Sequence, residues 1–158
     1  MALALQRFDS SNIDLICDYI ESIKEFDEIT AIVPKNREVC EAKLRELLDT
    51  EQAYGVVVFD SEFDKIAGIG IVTQVEMWWT SEKTWNNILF YVEQGYRGTN
   101  ASTLLMNFFK DVSDVTNIPL YFDVIASPET NFAVYDRVFR YRGLKRVGSS
   151  FIYNKAAA

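Results

Sequence analysis

Phe90-Tyr91-Val92-Glu93-Gln94-Gly95-Tyr96-Arg97-Gly98-Thr99-Asn100-Ala101-Ser102-Thr103-Leu104-Leu105-Met106-Asn107-Phe108-Phe109 is the stretch on which the fold turns. It opens on a β-type run, breaks at two glycines set among polar residues, and closes on apolar residues at helical spacing. Leu104, Leu105, Phe108, Phe109 and Val112 share one stripe, which predicts a helix over 103–115. A strand, a loop and a helix in that order place unbonded backbone N–H groups and a partial positive charge at the helix start, which suits a phosphate. The loop adds one cation, Arg97, a conformationally permissive Gly98, and the hydroxyls and amide of Thr99, Ser102 and Asn100. On these residues alone, an anion site and an ordinary strand-to-helix turn are both open.

Before this stretch the pattern predicts three antiparallel strands in a meander. Residues 54–60 (YGVVVFD) end at the polar turn Asp60-Ser61-Glu62, and 65–79 (KIAGIGIVTQVEMWW) carry two glycines. Residues 84–93 (TWNNILFYVE) return from a hairpin tip at 80–83. Earlier still, 2–8 form a short strand, and Asp9-Ser10-Ser11-Asn12 is a run of good helix caps. Ile13, Ile16, Cys17, Ile20 and Ile23 then recur at helical spacing, and a second helix starts near Arg37. After the central stretch, 121–126 (YFDVIA) predict a fifth strand, Ser127-Pro128-Glu129 a helix start, Gly143 its end, and 146–154 a last strand. The order β-α-α-β-β-β-α-β-α-β puts a helix between two strands over 89–126. That arrangement implies a parallel pair joined by a right-handed crossover. The reading is one α/β (α+β) domain over 1–155, with Ala156-Ala157-Ala158 taken as a tag remnant.

Composition removes several classes of chemistry. With 158 residues, 49% hydrophobic and 25% charged, the chain has ordinary globular make-up and enough length for one sizeable core. There is no histidine, which removes Ser-His-Asp and Cys-His catalysis and His-ligated zinc together. Cys17 and Cys40 lack metal-ligand spacing and read as reduced, packed thiols of a cytoplasmic protein. No metal is expected. A net charge of −7 withholds the Lys/Arg surplus that nucleic-acid binding draws on. The local cluster Arg137, Arg140, Arg142, Lys145 and Arg146 reads as a solvated face before it reads as a binding patch. No apolar run approaches the roughly 20 residues that cross a bilayer, and no signal peptide is visible.

The element order and the string V-E-Q-G-Y-R-G-T-N-A-S-T-L-L resemble the GCN5-related N-acetyltransferase (GNAT) superfamily. The family motif is a valine-ended strand, an aromatic-Arg-Gly stretch, and an Arg/Gln-x-x-Gly-x-Gly/Ala loop opening a helix with Leu-Leu. Arg97, Gly98 and Leu104-Leu105 match it; Asn100 and Ser102 stand where the two motif glycines belong. The resemblance spans about 54–155, and its ending, S-P-E-T-N-F-A-V-Y followed by R-G-L-K-R-V-G-S-S-F-I-Y-N, also fits. It implies a mixed, mostly antiparallel sheet of six to seven strands with a central splay, flanked by about four helices. It further implies acetyl-CoA as co-substrate, held by Phe90, Val92, Arg97, Gly98, Thr99, Asn100, Ala101, Ser102 and Asn131.

Acetyl transfer to an amine needs a base, an oxyanion donor and an acid for the leaving thiolate. The resemblance implies Tyr135 as the acid, one turn into the last helix, while the family position proper is held by Phe139. For the base, the carboxylates on offer are Glu76 near the end of the third strand, Glu93 at the end of the fourth and Asp123 on the fifth, with Glu93 and Glu76 placed first. The Trp78-Trp79-Thr80-Ser81 stretch is similar to phage-encoded members, so a viral origin is one expectation. Trp78, Trp79 and Trp85 read equally as an acceptor wall and as a dimer or packing surface. The activity expected is acyl-CoA-dependent N-acylation of a small-molecule or protein amine. The alternative is a catalytically silent relative that binds a protein partner, and homodimers are common among such proteins.

Overall fold

The computed structural model describes residues 1–24, 35–123 and 132–146. The chain divides into two compact units: residues 1–20 with 36–124, and residues 21–35 with 125–158. The first unit holds β1 (Leu3–Phe8), α2 (Arg37–Leu48), β2 (Ala53–Asp60), β3 (Lys65–Glu76), β4 (Lys83–Val92), α3 (Ala101–Thr116), β5 (Leu120–Tyr121) and most of α1 (Ile13–Ser22). The second holds α4 (Phe132–Tyr141).

The first two helices begin where the sequence offers a cap. Asp9 accepts from the Ser11 N–H at 2.8 Å and forms a capping box with Asn12, starting a 3-10 turn that runs into α1. The Asn36 side chain accepts from the Val39 N–H at 3.1 Å and starts α2. Helix α3 starts at Ala101, two residues before the stripe predicts. It ends at Asn117 in the left-handed region (φ 54), whose N–H reaches the Asp114 and Ser113 carbonyls. In the second unit, Gly143 takes φ 85, and the Leu144 N–H returns to the Phe139 carbonyl at 3.0 Å, closing α4 where expected.

The described strands form one sheet in the order β1-β2-β3-β4-β5. β2, β3 and β4 are antiparallel, as the meander predicts; β1 adds to β2, also antiparallel, and β5 joins β4 in parallel. Five strands, not six to seven, are found among the described residues. The last expected strand lies outside them, as do residues 124–126 of the fifth, of which β5 is the part found among the described residues. Its ladder with β4 consists of Trp85↔Leu120 and Asn86↔Tyr121. Beyond that pair the Asn87 side chain takes over: its amide donates to the Asp123 carbonyl at 2.8 Å and accepts from the Asp123 N–H at 2.7 Å. A side chain thus fills the place of a further backbone pair.

A β-bulge in β4 decides which side chains meet α3. Ile71 pairs with Leu89 and Val72 with Asn87, so Ile88 is the extra residue. The slip lets Trp85 on one side of the bulge and Phe90 on the other face the same way, and both pack with Phe109 of α3. Alongside them Val56, Val58, Ala67, Val92, Ala101 and Leu105 form a contiguous core. Gly68 faces this core, where a side chain would collide with the Tyr91 carbonyl oxygen at 2.9 Å. The bare backbone lets Leu105 lie directly on β3. Residues of the opposite parity, Val57, Ile69, Ile71 and Tyr91, are buried as well, so both faces of the sheet are covered.

Trp85 is fully buried, with its indole N–H donating to the Thr116 hydroxyl at 2.7 Å. It belongs to the core and not to an exposed wall. Trp78 and Trp79, at the β3–β4 tip, are 90% and 61% exposed and meet edge to face.

Candidate functional site

The end of β4 and the start of α3 form the site. The Glu93 N–H donates to the Ala67 carbonyl at 2.9 Å. In an antiparallel ladder, bonding residues alternate, so Phe90 and Val92 turn their backbone groups to the edge away from β3. That edge lies beyond the end of the β5 ladder. The ring of Phe90 is engaged with Phe109 and Phe122, so what Phe90 offers a ligand is backbone.

A 3-10 turn (Gln94–Tyr96) follows, and the loop is then fastened to itself. The Tyr96 N–H returns to the Glu93 carbonyl at 2.8 Å. The Tyr96 carbonyl accepts both the N–H and the hydroxyl of Thr99, at 3.2 and 2.6 Å. The Thr99 hydroxyl in turn accepts from the Ala101 N–H at 3.3 Å. Gly98 sits at φ 82 with nothing within 4 Å of where a Cβ would be. This is the left-handed position of the loop, and glycine is the residue that takes it without strain. Asn100, by contrast, is in the right-handed helical region (φ −73, ψ −5). Its backbone asks for no glycine, so the departure from the motif at this position carries no conformational penalty.

Helix α3 opens with the Ala101 N–H held by the Thr99 hydroxyl, no side-chain cap from Asn100, and no acidic residue in its first turn to oppose an anion. The Ala101 methyl is buried in the core. Arg97 lies over the Tyr91 ring at 5.9 Å, and its Nε donates to the Val92 carbonyl at 3.2 Å. The motif arginine thus holds the end of the strand that precedes it. Thr99 and Ser102 are half-buried, and Asn100 and Gly98 are exposed.

Glu93 is half-buried at the head of this loop. Its Oε1 accepts the Tyr19 hydroxyl at 2.9 Å, and its Oε2 accepts the Tyr91 hydroxyl at 3.3 Å. Glu76 is exposed at the other end of β4, paired with Lys83. Ten strand steps separate Lys83 from Glu93, roughly 33 Å, so the two carboxylates do not share a site. Tyr135 lies on α4, within the second unit. Asn131 and the Tyr135 side chain lie outside what is described. Among the described residues, no three Cys, Asp or Glu side chains converge to hold a metal ion. No helix there is long and apolar enough to cross a membrane. Residue-type reasoning missed Tyr19 and Tyr91, because nothing local marks a helix tyrosine that meets a carboxylate 74 residues away.

No protein-family model matches the sequence, and no curated protein sequence does. Solved structures do. An aminoglycoside acetyltransferase from an uncultured soil metagenomic sample superposes with a TM-score of 0.72 at 13% identity, covering 98% of this chain and 99% of its own. The aminoglycoside enzyme AAC(6')-Iy, solved with a CoA-linked acetylneamine bisubstrate analogue, gives 0.70 at 11% identity over 98% and 99%. A GNAT family acetyltransferase of Staphylococcus aureus gives 0.60 at 13% identity over 98% and 99%. At such identities the likeness is one of fold, and this chain carries the GNAT fold.

Proposed function

We propose that the protein is an acetyl-CoA-dependent N-acetyltransferase acting on a cationic amine. The observation that carries this reading is the continuity of three features: the outward edge of β4 at Phe90 and Val92, the left-handed Gly98, and the unopposed start of α3. An extended pantetheine arm fits the β4 edge that faces away from β3, and a pyrophosphate fits the helix start one loop further on. Gly98, Thr99, Asn100 and Ser102 supply the loop contacts with the phosphates, and Arg97 supplies positive charge beside them. Acetyl-CoA contributes the activated thioester. The acceptor amine first gives up its ammonium proton to solvent; its neutral nitrogen bonds to the acetyl carbon, the carbon–sulfur bond breaks, the nitrogen's second proton passes to water, and the leaving thiolate takes a proton from the acid. Holding the two reactants in register supplies much of the rate in such a transfer. Tyr135 is the acid in this proposal.

A net charge of −7 steers a cationic acceptor towards the protein. The aminoglycoside enzymes of the same fold make a polyamine-like acceptor the first to try. Isothermal titration with acetyl-CoA and CoA, followed by turnover on a panel of amines, tests the reading. Absence of binding at millimolar acetyl-CoA would sink it. The exposed Trp78–Trp79 pair favours a second reading, a silent GNAT-fold module that binds a protein. Binding of CoA without turnover across the amine panel would decide for that one.

A further inference from the structure

We infer that Tyr19 and Glu93 are positioning residues for the cradle: the α1 hydroxyl, acting through the Glu93 carboxylate, fixes where β4 ends and the 94–100 loop begins. The functional meaning of this inference rests on the acetyl-CoA reading above; its structural content does not.

Glu93 is fastened at four points. Its N–H is bonded to Ala67 of β3 and its carbonyl to the Tyr96 N–H, at 2.9 and 2.8 Å. Its carboxylate oxygens take one tyrosine hydroxyl each, Tyr19 at 2.9 Å and Tyr91 at 3.3 Å. Hydroxyl bonds to a charged acceptor are among the stronger hydrogen bonds a protein makes. Tyr91 is also the ring beneath the Arg97 guanidinium, and Arg97 grips the Val92 carbonyl. Tyr19, Glu93, Tyr91 and Arg97 thus form a continuous clasp around the last residue of β4. Thr99 hangs from the carbonyl of Tyr96, a residue whose N–H is bonded to Glu93, and the Ala101 N–H in turn hangs from the Thr99 hydroxyl.

This arrangement suits an anchor better than the general base that the sequence suggests for Glu93. A base must bring a receiving oxygen to the amine proton. Here both oxygens already receive hydroxyl protons, and the residue lies past the end of the strand, five positions beyond the bulge at Ile88. An anchor and a base predict different kinetics when the residue is changed.

Steady-state kinetics of the full chain with acetyl-CoA, for Tyr19→Phe, Glu93→Gln and the double variant, separate the two roles. The KM for acetyl-CoA is expected to rise about 3- to 10-fold in each single variant, a fraction of what one charged hydrogen bond can contribute, with kcat within about 2-fold. The double variant should be no worse than the worse single one, since both break the same clasp. A kcat reduced about 100-fold or more in Glu93→Gln at unchanged KM would identify a base and overturn the inference. So would an unchanged KM in Tyr19→Phe. Amide hydrogen exchange without ligand provides an arm that does not depend on the co-substrate. Exchange at Tyr96, Thr99 and Ala101 is expected to quicken in Tyr19→Phe; identical exchange refutes the clasp. If the wild-type protein neither binds nor turns over acetyl-CoA, the functional reading falls, and the exchange arm still decides the positioning role.

Discussion

Gly68→Ala is the perturbation that most directly probes how the sheet and α3 meet. A methyl at this position would lie 2.9 Å from the Tyr91 carbonyl oxygen, 3.3 Å from Leu105 Cδ1 and 3.4 Å from Val92 Cγ2. The first of these is backbone and cannot swing away, and Leu105 is fully buried. Relief therefore requires β3 to part from β4, or α3 to lift. Overpacking of this kind costs about 1–3 kcal/mol. Against it stands about 0.4–1 kcal/mol gained because alanine narrows the unfolded ensemble. The net expectation is a loss of roughly 1–2 kcal/mol, which for a chain of this size lowers Tm by about 2–8 °C. Gly95→Ala is the matched control: nothing lies within 4 Å of its Cβ position and its φ is not positive, so stability should hold or rise slightly. Urea denaturation and calorimetry on the three proteins measure both numbers. Gly68 pairs directly with Val92, so Gly68→Ala should also weaken CoA binding by displacing the strand end. A Gly68→Ala protein as stable as wild type, or a Gly95→Ala protein that loses more, would refute the packing argument.

Asp60 is fully buried, and burial alone raises its carboxyl pKa. The Glu62 N–H, the neighbouring Tyr96 hydroxyl and the Ala2 N–H together outweigh burial and hold it below the ordinary 3.8. A depressed folded-state value means that the stabilisation is complete above pH 3.8 and is lost as pH falls through the lower folded value. The stability gap between wild type and Asp60→Asn should accordingly narrow in urea titrations taken from about pH 6 down to about pH 3, and a constant gap would contradict this. Burial first, and then the adjacent Cys40, pushes the Cys17 thiol up to about 11. A thiol reagent at neutral pH should modify half-buried Cys40 well ahead of Cys17, and mapping of the labelled sites by mass spectrometry checks the order. Arg97→Glu removes the bond to the Val92 carbonyl and reverses a charge beside the proposed phosphate site. CoA affinity should fall about 10-fold or more in calorimetry, and an undiminished affinity would count against the cradle.

The parts of the fold that follow from local rules were legible in the sequence. The stripe through Leu104, Leu105, Phe108 and Phe109 placed α3, and the turn residues at 60–62 and 80–83 placed the meander, because period and turn chemistry are properties of neighbours in the chain. Asp9 and Gly143 ended up as cap and stop because each conformation is set by one side chain, or by its absence. What was not legible depends on partners distant in sequence. The slip at Ile88 shows only in register with β3, and it sends Trp85 inward although its neighbours Trp78 and Trp79 stay outside. The two bonds that join the Asn87 side chain to the Asp123 backbone link residues 36 apart in sequence, and a β-rich run gives no warning of them. The roles of Glu93 and Glu76 could not be separated by residue type, since only the length of β4 sets them apart.

The loop itself shows why a motif should be read by backbone conformation and not by letter. Two of its expected glycines are Asn100 and Ser102, which by composition alone suggests a damaged cradle. In the structure the need for a left-handed residue falls on Gly98 alone, and glycine is retained there. Asn100 already has helical angles, and Ser102 lies within the first turn of α3, where any small residue fits. The substitutions therefore change what the loop presents, an exposed amide and a half-buried hydroxyl, without changing the path of its backbone. That path is held from outside by Glu93, Tyr91 and Arg97, and from within by the Thr99 hydroxyl. A loop so fastened is preorganised, and preorganisation, more than the identity of the motif letters, determines whether its amides are in place when an anion arrives.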